Sequence, residues 1–319
     1  MNEKEAKELI RSNYRIPKSL NMGVEKNIHG DSTIWAISVE SDSNDVNFII
    51  KQSDEDLSRQ AELGVRAEKI FSDDLRYISL GVKFIPDYNV ILSKRSELPT
   101  VSQLIEKNGF PNPVNWYSQT IQVVELAGNW LKAYHAVGQS VGSISEPLLR
   151  YVESREYIFK LFPTALKKLF LESVDSCPDH IISPIHCDFS PGNIFSNGME
   201  LSVIDFGVEE WVEMSPYWDI VTFIIAIERD FSFRYKSPLK WIPILRRHLL
   251  DKFSQAYGGD TQGNLVVWRV CYAVRHFVLL SSKVDSPITN QVRAWHIAEI
   301  EKILYSKSDK IGYEDILFH

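Results

Sequence analysis

Two short segments constrain what this chain can fold into more than anything else in it. The first is His186-Cys187-Asp188-Phe189-Ser190-Pro191-Gly192-Asn193, and the second is Val203-Ile204-Asp205-Phe206-Gly207. Apolar residues bracket both: Ile181, Ile182 and Ile185 precede the first, Ile194 and Phe195 follow it, and Leu201 leads into the second. Asn197-Gly198 between them is a tight-turn signal. The pattern predicts loop, short strand, turn, short strand, loop. Such a hairpin brings Asp205 back beside Asp188 and Asn193. The polar residues of 188–193 also suit an ordinary turn. The two motifs together, in this order and with apolar strands between them, are much harder to reach by accident.

Three oxygen-bearing side chains gathered this way suit phosphoryl transfer. One carboxylate orients an attacking hydroxyl and takes its proton. An amide oxygen and a second carboxylate offer magnesium the hard ligands it prefers. HxDxxxxN followed by an apolar strand and Ile-Asp-Phe-Gly resembles the catalytic core of the aminoglycoside phosphotransferase and choline kinase-like enzymes. The resemblance implies an α+β, protein-kinase-like two-lobe fold, with a small N-terminal antiparallel sheet plus helix and a larger, mainly helical C-terminal lobe. It implies Asp188 as catalytic base, Asn193 and Asp205 as metal ligands, and His186 as a structural histidine bracing the loop. It also implies ATP, or alternatively GTP, as phosphoryl donor, and Mg2+ as the metal.

The chain is long enough for two lobes: 319 residues, 44% hydrophobic and 24% charged. The nucleotide-binding lobe is expected over 1–93, and a helical lobe with catalytic loop and acceptor site over 94–319. A net charge of -7 argues against nucleic acid as a partner of the whole surface. The three cysteines, Cys177, Cys187 and Cys271, are scattered with no CxxC pair, which fits a reduced, cytoplasmic protein without structural zinc. Met1 to Glu5 is charged and lacks an apolar signal core. The longest apolar run, Ile220 to Ile227, is too short to span a bilayer.

In chain order, residues 4–12 read as a short amphipathic helix with Ala6, Leu9 and Ile10 on one face, ended by Pro17. A strand to His29, a turn at Gly30-Asp31-Ser32 and a strand from Thr33 to Val39 follow. In the resembling family this hairpin covers the ATP phosphates. Gly30 would then allow close backbone approach, and the Asp31 and Ser32 amides would donate to phosphate oxygens. With one glycine and no GxGxxG, a plain hairpin turn is the alternative. The strand Val46 to Lys51 ends on a lysine, the family's pattern for the residue that pairs with the α- and β-phosphates. Residues 54–71 have helical periodicity, with Leu57, Ala61, Gly64, Val65 and Ile70 as the buried side. The family places a glutamate on this helix to hold the lysine. Glu62 and Glu68 are the candidates, and Glu68 suits the spacing better. A second hairpin over 82–93 leads into Lys94-Arg95-Ser96-Glu97, which by resemblance is the hinge whose backbone meets the adenine edge.

Further on, a short helix is predicted at 101–107 and a long one over 115–137. Ile121, Val124, Gly128, Leu131 and His135 share one face of the long helix, so His135 reads as a packed core histidine. One or two helices are expected over 146–176. Another begins at Pro216, where Asp219 matches a family aspartate bracing the catalytic loop. Helices are also expected at 238–256, 264–282 and 288–305.

Only eight residues separate Gly207 from Pro216, leaving no room for a long activation segment, and Cys187 stands where protein kinases usually carry arginine. Both departures favour a small-molecule kinase over a protein kinase. The expected reaction is in-line transfer of the γ-phosphoryl group to a hydroxyl of a sugar, aminoglycoside or amino alcohol. The alternative is a pseudokinase-like module that binds nucleotide or a partner without transfer. Two stretches bear on the acceptor. Glu209, Glu210 and Glu213 suit a cationic molecule. Arg229, Arg234, Lys236, Lys240, Arg246 and Arg247, mixed with aromatics, suit an anionic molecule, a carbohydrate, or peripheral contact with an anionic membrane.

Overall fold

The structure is a computed structural model. It describes residues 1–29, 32–40, 45–107, 113–144, 180–207, 213–234 and 241–258. It also describes positions 146–147, 150, 164, 168, 171–172, 269, 290–292, 294–296 and 298. The expected helices at 264–282 and 288–305, and most of those at 146–176, lie outside the described residues. Two compact units emerge, neither continuous in sequence: Met1–Leu104 with Gly192–Val208, and Ile105–Pro191 with Glu209–His319.

The first unit is built on an antiparallel five-stranded sheet in the order β1-β2-β3-β5-β4. Its strands are β1 (Met22–His29), β2 (Ser32–Val39), β3 (Val46–Ser53), β4 (Lys83–Ile85) and β5 (Val90–Lys94). Side chains alternate across a strand, so each strand contributes to two different faces. Trp35, Ile37, Val39, Phe48, Ile50, Val90 and Leu92 form the buried face. Helix α1 (Glu3–Tyr14) covers that face with Ala6, Leu9 and Ile10. The helix starts at an Asn2–Glu5 capping box and ends at Arg15 in the left-handed conformation, ahead of Pro17.

Helix α2 (Ser58–Ile70) buries Gln60, Ala61, Leu63, Gly64 and Ala67. Val65, expected on its inner side, is 47% exposed. The buried stripe is centred on Gly64 and its small neighbours, so packing depends here on close approach more than on side-chain bulk. After α2, the hairpin β8 (Ile194–Ser196) and β9 (Leu201–Val203) joins this unit from far along the chain. Backbone hydrogen bonds tie it there: Leu201 N to Arg76 O at 2.8 Å, Ile78 N to Leu201 O at 2.8 Å, and Ser196 N to Pro99 O at 2.9 Å. Gly198 makes its turn at φ 95°. This is the predicted hairpin. Ile204 N donates to Asn193 O at 3.0 Å, which sets Asn193 beside the start of the Ile-Asp-Phe-Gly run.

The second unit is mainly helical. Helix α4 (Pro113–His135) follows α3 (Val101–Lys107), which straddles the boundary between the units. Helix α5 (Tyr217–Arg234) and helix α6 (Trp241–Tyr257) come later in the chain. Helix α6 packs closely on α4 at Gly128, where a Cβ would fall 2.7 Å from the Phe253 carbonyl oxygen. The three-stranded sheet β10-β7-β6, from Glu213–Met214, His180–Pro184 and Ser140–Gly142, was not anticipated. Its outer strands have two and three residues, too few to show any periodicity.

Candidate active site

Each unit holds part of the predicted residue set, in contrasting settings. In the first unit, a cavity of about 740 Å3 lies on the face of the sheet opposite α1. The alternation that sends Phe48 and Ile50 into the core sends Ile49 and Lys51 to the cavity. Likewise Val90 and Leu92 are buried, while Ile91 and Ser93 line the cavity. Ile34 and Ile49 from the sheet, with Phe195, Val203 and Ile204 from the later hairpin, supply apolar wall. Ser32, Lys51, Gln60, Asn193 and Asp205 supply the polar lining. Gly30 and Asp31 lie outside the described residues.

Lys51 Nζ donates to Asp205 Oδ1 at 2.7 Å. The two side chains are 21% and 47% exposed, so the pair can be reached from solvent. Among the described residues, Asp205 is one of four non-glycine residues with positive φ, at 56°. Holding such a residue in the left-handed region costs on the order of 1 kcal/mol or more. That kink directly follows β9, where the chain leaves the hairpin. The Oδ2 oxygen of Asp205 has no partner among the described residues.

The lysine's partner corrects the expectation for α2. Glu68 does not hold Lys51: its Oε1 accepts from Val82 N at 3.1 Å, near β4. Glu62 pairs with Arg59 at the surface, at 2.6 Å. The α2 side chain that reaches the site is Gln60, 7% exposed, whose Nε2 donates to Asp205 Oδ1 at 3.5 Å. Glu68 is eight residues further along, about 12 Å along the helix axis. Sequence reasoning passed over Gln60 because a polar residue in a charged helix reads as solvated. Gln60 shares a stripe with Gly64 and Ala67, but Glu68 continues that stripe, so spacing alone does not choose between them.

The segment expected as the hinge begins at the end of β5. Lys94 N donates to Leu80 O at 2.7 Å, and Arg95 N donates to Asn47 O at 2.8 Å. The Ser96 amide has no partner among the described residues, and Lys94, Arg95 and Ser96 all line the cavity.

In the second unit, the His186-Cys187-Asp188 loop is clamped from within. Asp219, fully buried in the first turn of α5, accepts from His186 N at 2.6 Å and from Cys187 N at 2.9 Å. The residue before it, Trp218, donates Nε1–H to Cys187 O at 3.2 Å. Asp219 also meets His135 Nε2 at 3.0 Å, and His135 Nδ1 meets the Tyr257 hydroxyl at 3.0 Å. A carboxylate can only accept, which assigns the imidazole proton to Nε2 and makes Tyr257 the donor to Nδ1. Burial, with the Asp219 charge beside it, pushes the Tyr257 hydroxyl well above the ordinary phenol range, which keeps that donor protonated. Phe189 is fully buried and stacks on Trp130, with centroids 5.4 Å apart. His186 Nδ1 accepts from Asp188 N at 3.3 Å, and Ser190 N closes on Asp188 O at 2.7 Å. Cys187, at φ 69°, and Phe189 are both 0% exposed, so Asp188 is the half-buried residue between two anchors.

Asn193 and Asp205 supply oxygen donors, and the free Asp205 Oδ2 fits a hard divalent cation. Among the described residues, no three His, Cys, Asp or Glu side chains converge into a metal cluster. Any cation here would rely on these two residues plus phosphate and water oxygens, as magnesium commonly does. Glu209, Glu210, Lys236 and Lys240 lie outside the described residues, as do the side chains of Arg234 and Arg246.

Comparison by sequence finds no matching family model and no similar curated protein. Comparison by structure finds many. A Ralstonia eutropha protein provisionally assigned as an aminoglycoside phosphotransferase aligns at TM-score 0.66 and 11% identity, over 97% of this chain and 98% of that one. A glucosamine kinase in complex with glucosamine, ADP and inorganic phosphate aligns at 0.59 and 11%, over 98% and 84%. Choline kinase LicA from Streptococcus pneumoniae aligns at 0.55 and 13%, over 95% and 99%. The chain therefore has the α+β fold of kinase-like phosphotransferases.

Proposed function

We propose that the protein is a small-molecule kinase that transfers the γ-phosphoryl group of ATP, or alternatively GTP, to an alcohol hydroxyl. The observation that carries this reading is the Lys51–Asp205 pair in the wall of a cavity with apolar sides, on a fold shared with phosphotransferases. Lys51 would release Asp205 to hold the α- and β-phosphates. Asp205 and Asn193 would ligate magnesium, which when bound neutralises the phosphate charge. Asp188 would orient the acceptor hydroxyl and accept its proton. Ser32, with Gly30 and Asp31, would contribute to the phosphate-covering turn. Most of the rate enhancement would come from positioning and fixed charge.

In this reading 1–93 is the nucleotide-binding lobe, and 94–319 carries the acceptor site. The acceptor class is a sugar, aminoglycoside or amino alcohol. Its support is that the neighbours with this fold include a kinase holding glucosamine and a choline kinase. Among the described residues no helix is long and apolar enough to cross a membrane, and a cytoplasmic location is part of the proposal.

The test is thermal stabilisation by ATP and GTP with and without magnesium, repeated across a panel of those acceptors. A metal-dependent nucleotide shift, with one acceptor adding to it and becoming phosphorylated, supports the reading. A nucleotide shift with no transfer to any acceptor favours the pseudokinase alternative. No shift at millimolar nucleotide overturns the kinase reading and favours a kinase-like fold used to bind a partner.

A further inference from the structure

We infer that Asn89, at the turn between β4 and β5, is a positioning residue for Asp205. It pins the exit of the strand that carries Lys51 and the entry of the helix that carries Gln60. It thereby sets where those two side chains meet the Asp205 carboxylate. The inference rests on the nucleotide-binding reading and adds to it a residue outside the cavity lining.

The turn explains the residue type. Asn89 follows the single helical turn Pro86–Tyr88, donates its backbone N–H to Pro86 O at 3.0 Å, and stands at φ 47°. Asparagine tolerates that left-handed backbone better than most residues. Its side chain then reaches away from its own hairpin. Oδ1 accepts from Leu57 N at 3.0 Å, while Nδ2 donates to Ser53 O at 2.9 Å and to Glu55 O at 2.7 Å. One N–H and two carbonyls as partners fix which way the amide points and use both of its hydrogens.

Those three backbone groups belong to the connection between β3 and α2, whose linking residues are 54–57. Asp54, Glu55 and Asp56 are exposed, so of the four only Leu57 is held by packing. Leu57 offers α2 no capping side chain. The helix entry relies instead on Asp56, which accepts from Ser58 N at 2.9 Å, and on Asn89. Lys51 lies two residues before Ser53, and Gln60 three residues after Leu57. Both reach the same oxygen, Asp205 Oδ1, at 2.7 Å and 3.5 Å. The far end of α2 is tied by Glu68, which accepts from Val82 N. Both ends of the helix are thus fastened to the stretch 82–89. The Gln60 contact is already at the outer limit of a hydrogen bond, so a small shift of the helix entry breaks it.

The experiment compares wild type, Asn89→Gly, Gln60→Ala and the double variant. Glycine accepts the positive φ, so Asn89→Gly removes the side-chain bonds without straining the turn. Two quantities are read. One is hydrogen exchange in the ligand-free protein, followed by mass spectrometry. The other is the magnesium-dependent gain in ATP affinity, the ratio of dissociation constants without and with magnesium by titration calorimetry. Asn89→Gly is expected to speed exchange over 54–61 and leave β1 and β2 unchanged. Each single substitution should lower the gain about fivefold, and the double variant also about fivefold rather than about 25-fold, since both act through one contact. A general loss of stability lowers the folded fraction and leaves that ratio where it was. Unaltered exchange or an unaltered ratio in Asn89→Gly overturns the role, and so does a double variant equal to the product of the singles. If Asn89→Gly does not fold, Asn89→Asp takes its place under the same criteria, keeping the acceptor for Leu57 N and losing both donors. If wild type shows no magnesium-dependent binding of ATP, the reading of the site falls and the role falls with it.

Discussion

The Lys51–Asp205 pair and the Asp219 cluster are both carboxylates meeting cations or N–H donors, yet they are built on opposite plans. Asp205 is 47% exposed, shares one oxygen between Lys51 and Gln60, and leaves the other oxygen without a partner among the described residues. Asp219 is fully buried and spends both oxygens on two backbone amides and an imidazole. A solvent-reached ion pair contributes about 0–1 kcal/mol to stability and can be exchanged cheaply for phosphate or metal. A buried, multiply bonded carboxylate is costly to disturb, because each orphaned amide loses water as well as its partner. The difference separates a group that changes partners in function from a group that fixes a loop.

Substitutions should divide along that line. The largest effects are expected on turnover. Asp205→Ala and Asp188→Ala should each lower it by about 10²–10³-fold or more, with urea midpoints close to wild type. Unaltered turnover in either variant would remove it from the proposed chemistry.

Asp219→Ala should do the reverse to stability, costing about 3–5 kcal/mol in chemical denaturation, since His186 N, Cys187 N and His135 all lose their acceptor. A loss below about 1 kcal/mol would mean the loop is held by its aromatic contacts instead.

Lys51→Met is expected to change stability by no more than about 1 kcal/mol while weakening magnesium-ATP binding measured by titration calorimetry. Gln60→Ala should reduce turnover about tenfold, a smaller effect than loss of Asp205, because it removes a 3.5 Å contact. Recovery in Gln60→Glu would show that an acceptor can replace the amide, and would undo the role given to its N–H.

The smallest effect is that of Tyr257→Phe, about 1 kcal/mol for one hydrogen bond. It carries a pH signature. The folded protein holds the Tyr257 proton more tightly than the unfolded chain, whose tyrosines titrate near 10. This group's contribution is therefore complete below pH 10 and is lost as pH rises above it. Wild type should lose stability relative to Tyr257→Phe in alkaline denaturation curves, and parallel curves would show that the hydroxyl is not buried as described.

What could be read in advance was local. The Asn197-Gly198 hairpin, the α4 stripe ending at His135 and the sheet strand that carries Lys51, which runs two residues further to Ser53, are each written within a few residues by period and turn chemistry. The Ile-Asp-Phe-Gly run similarly announced a carboxylate at the end of a strand. Other features depended on partners far apart in the chain. Lys51 meets Asp205 across 154 positions, and Gln60 meets it across 145. From α2 alone, Glu62, Glu68 and Gln60 are three polar residues on a charged helix, and no periodicity says which one faces the cavity. The small sheet of the second unit escaped notice for a related reason. Its strand Glu213–Met214 exists only because Ser183 and Pro184 lie opposite it.

Sequence by itself determined the kind of fold and the residue types that could act, because both follow from short-range pattern and side-chain chemistry. Tertiary structure decided which carboxylate Lys51 rests on and which α2 side chain enters the cavity. Those outcomes depend on register and on the close packing of a helix against a strand, where one residue of offset exchanges the buried side chain for the exposed one.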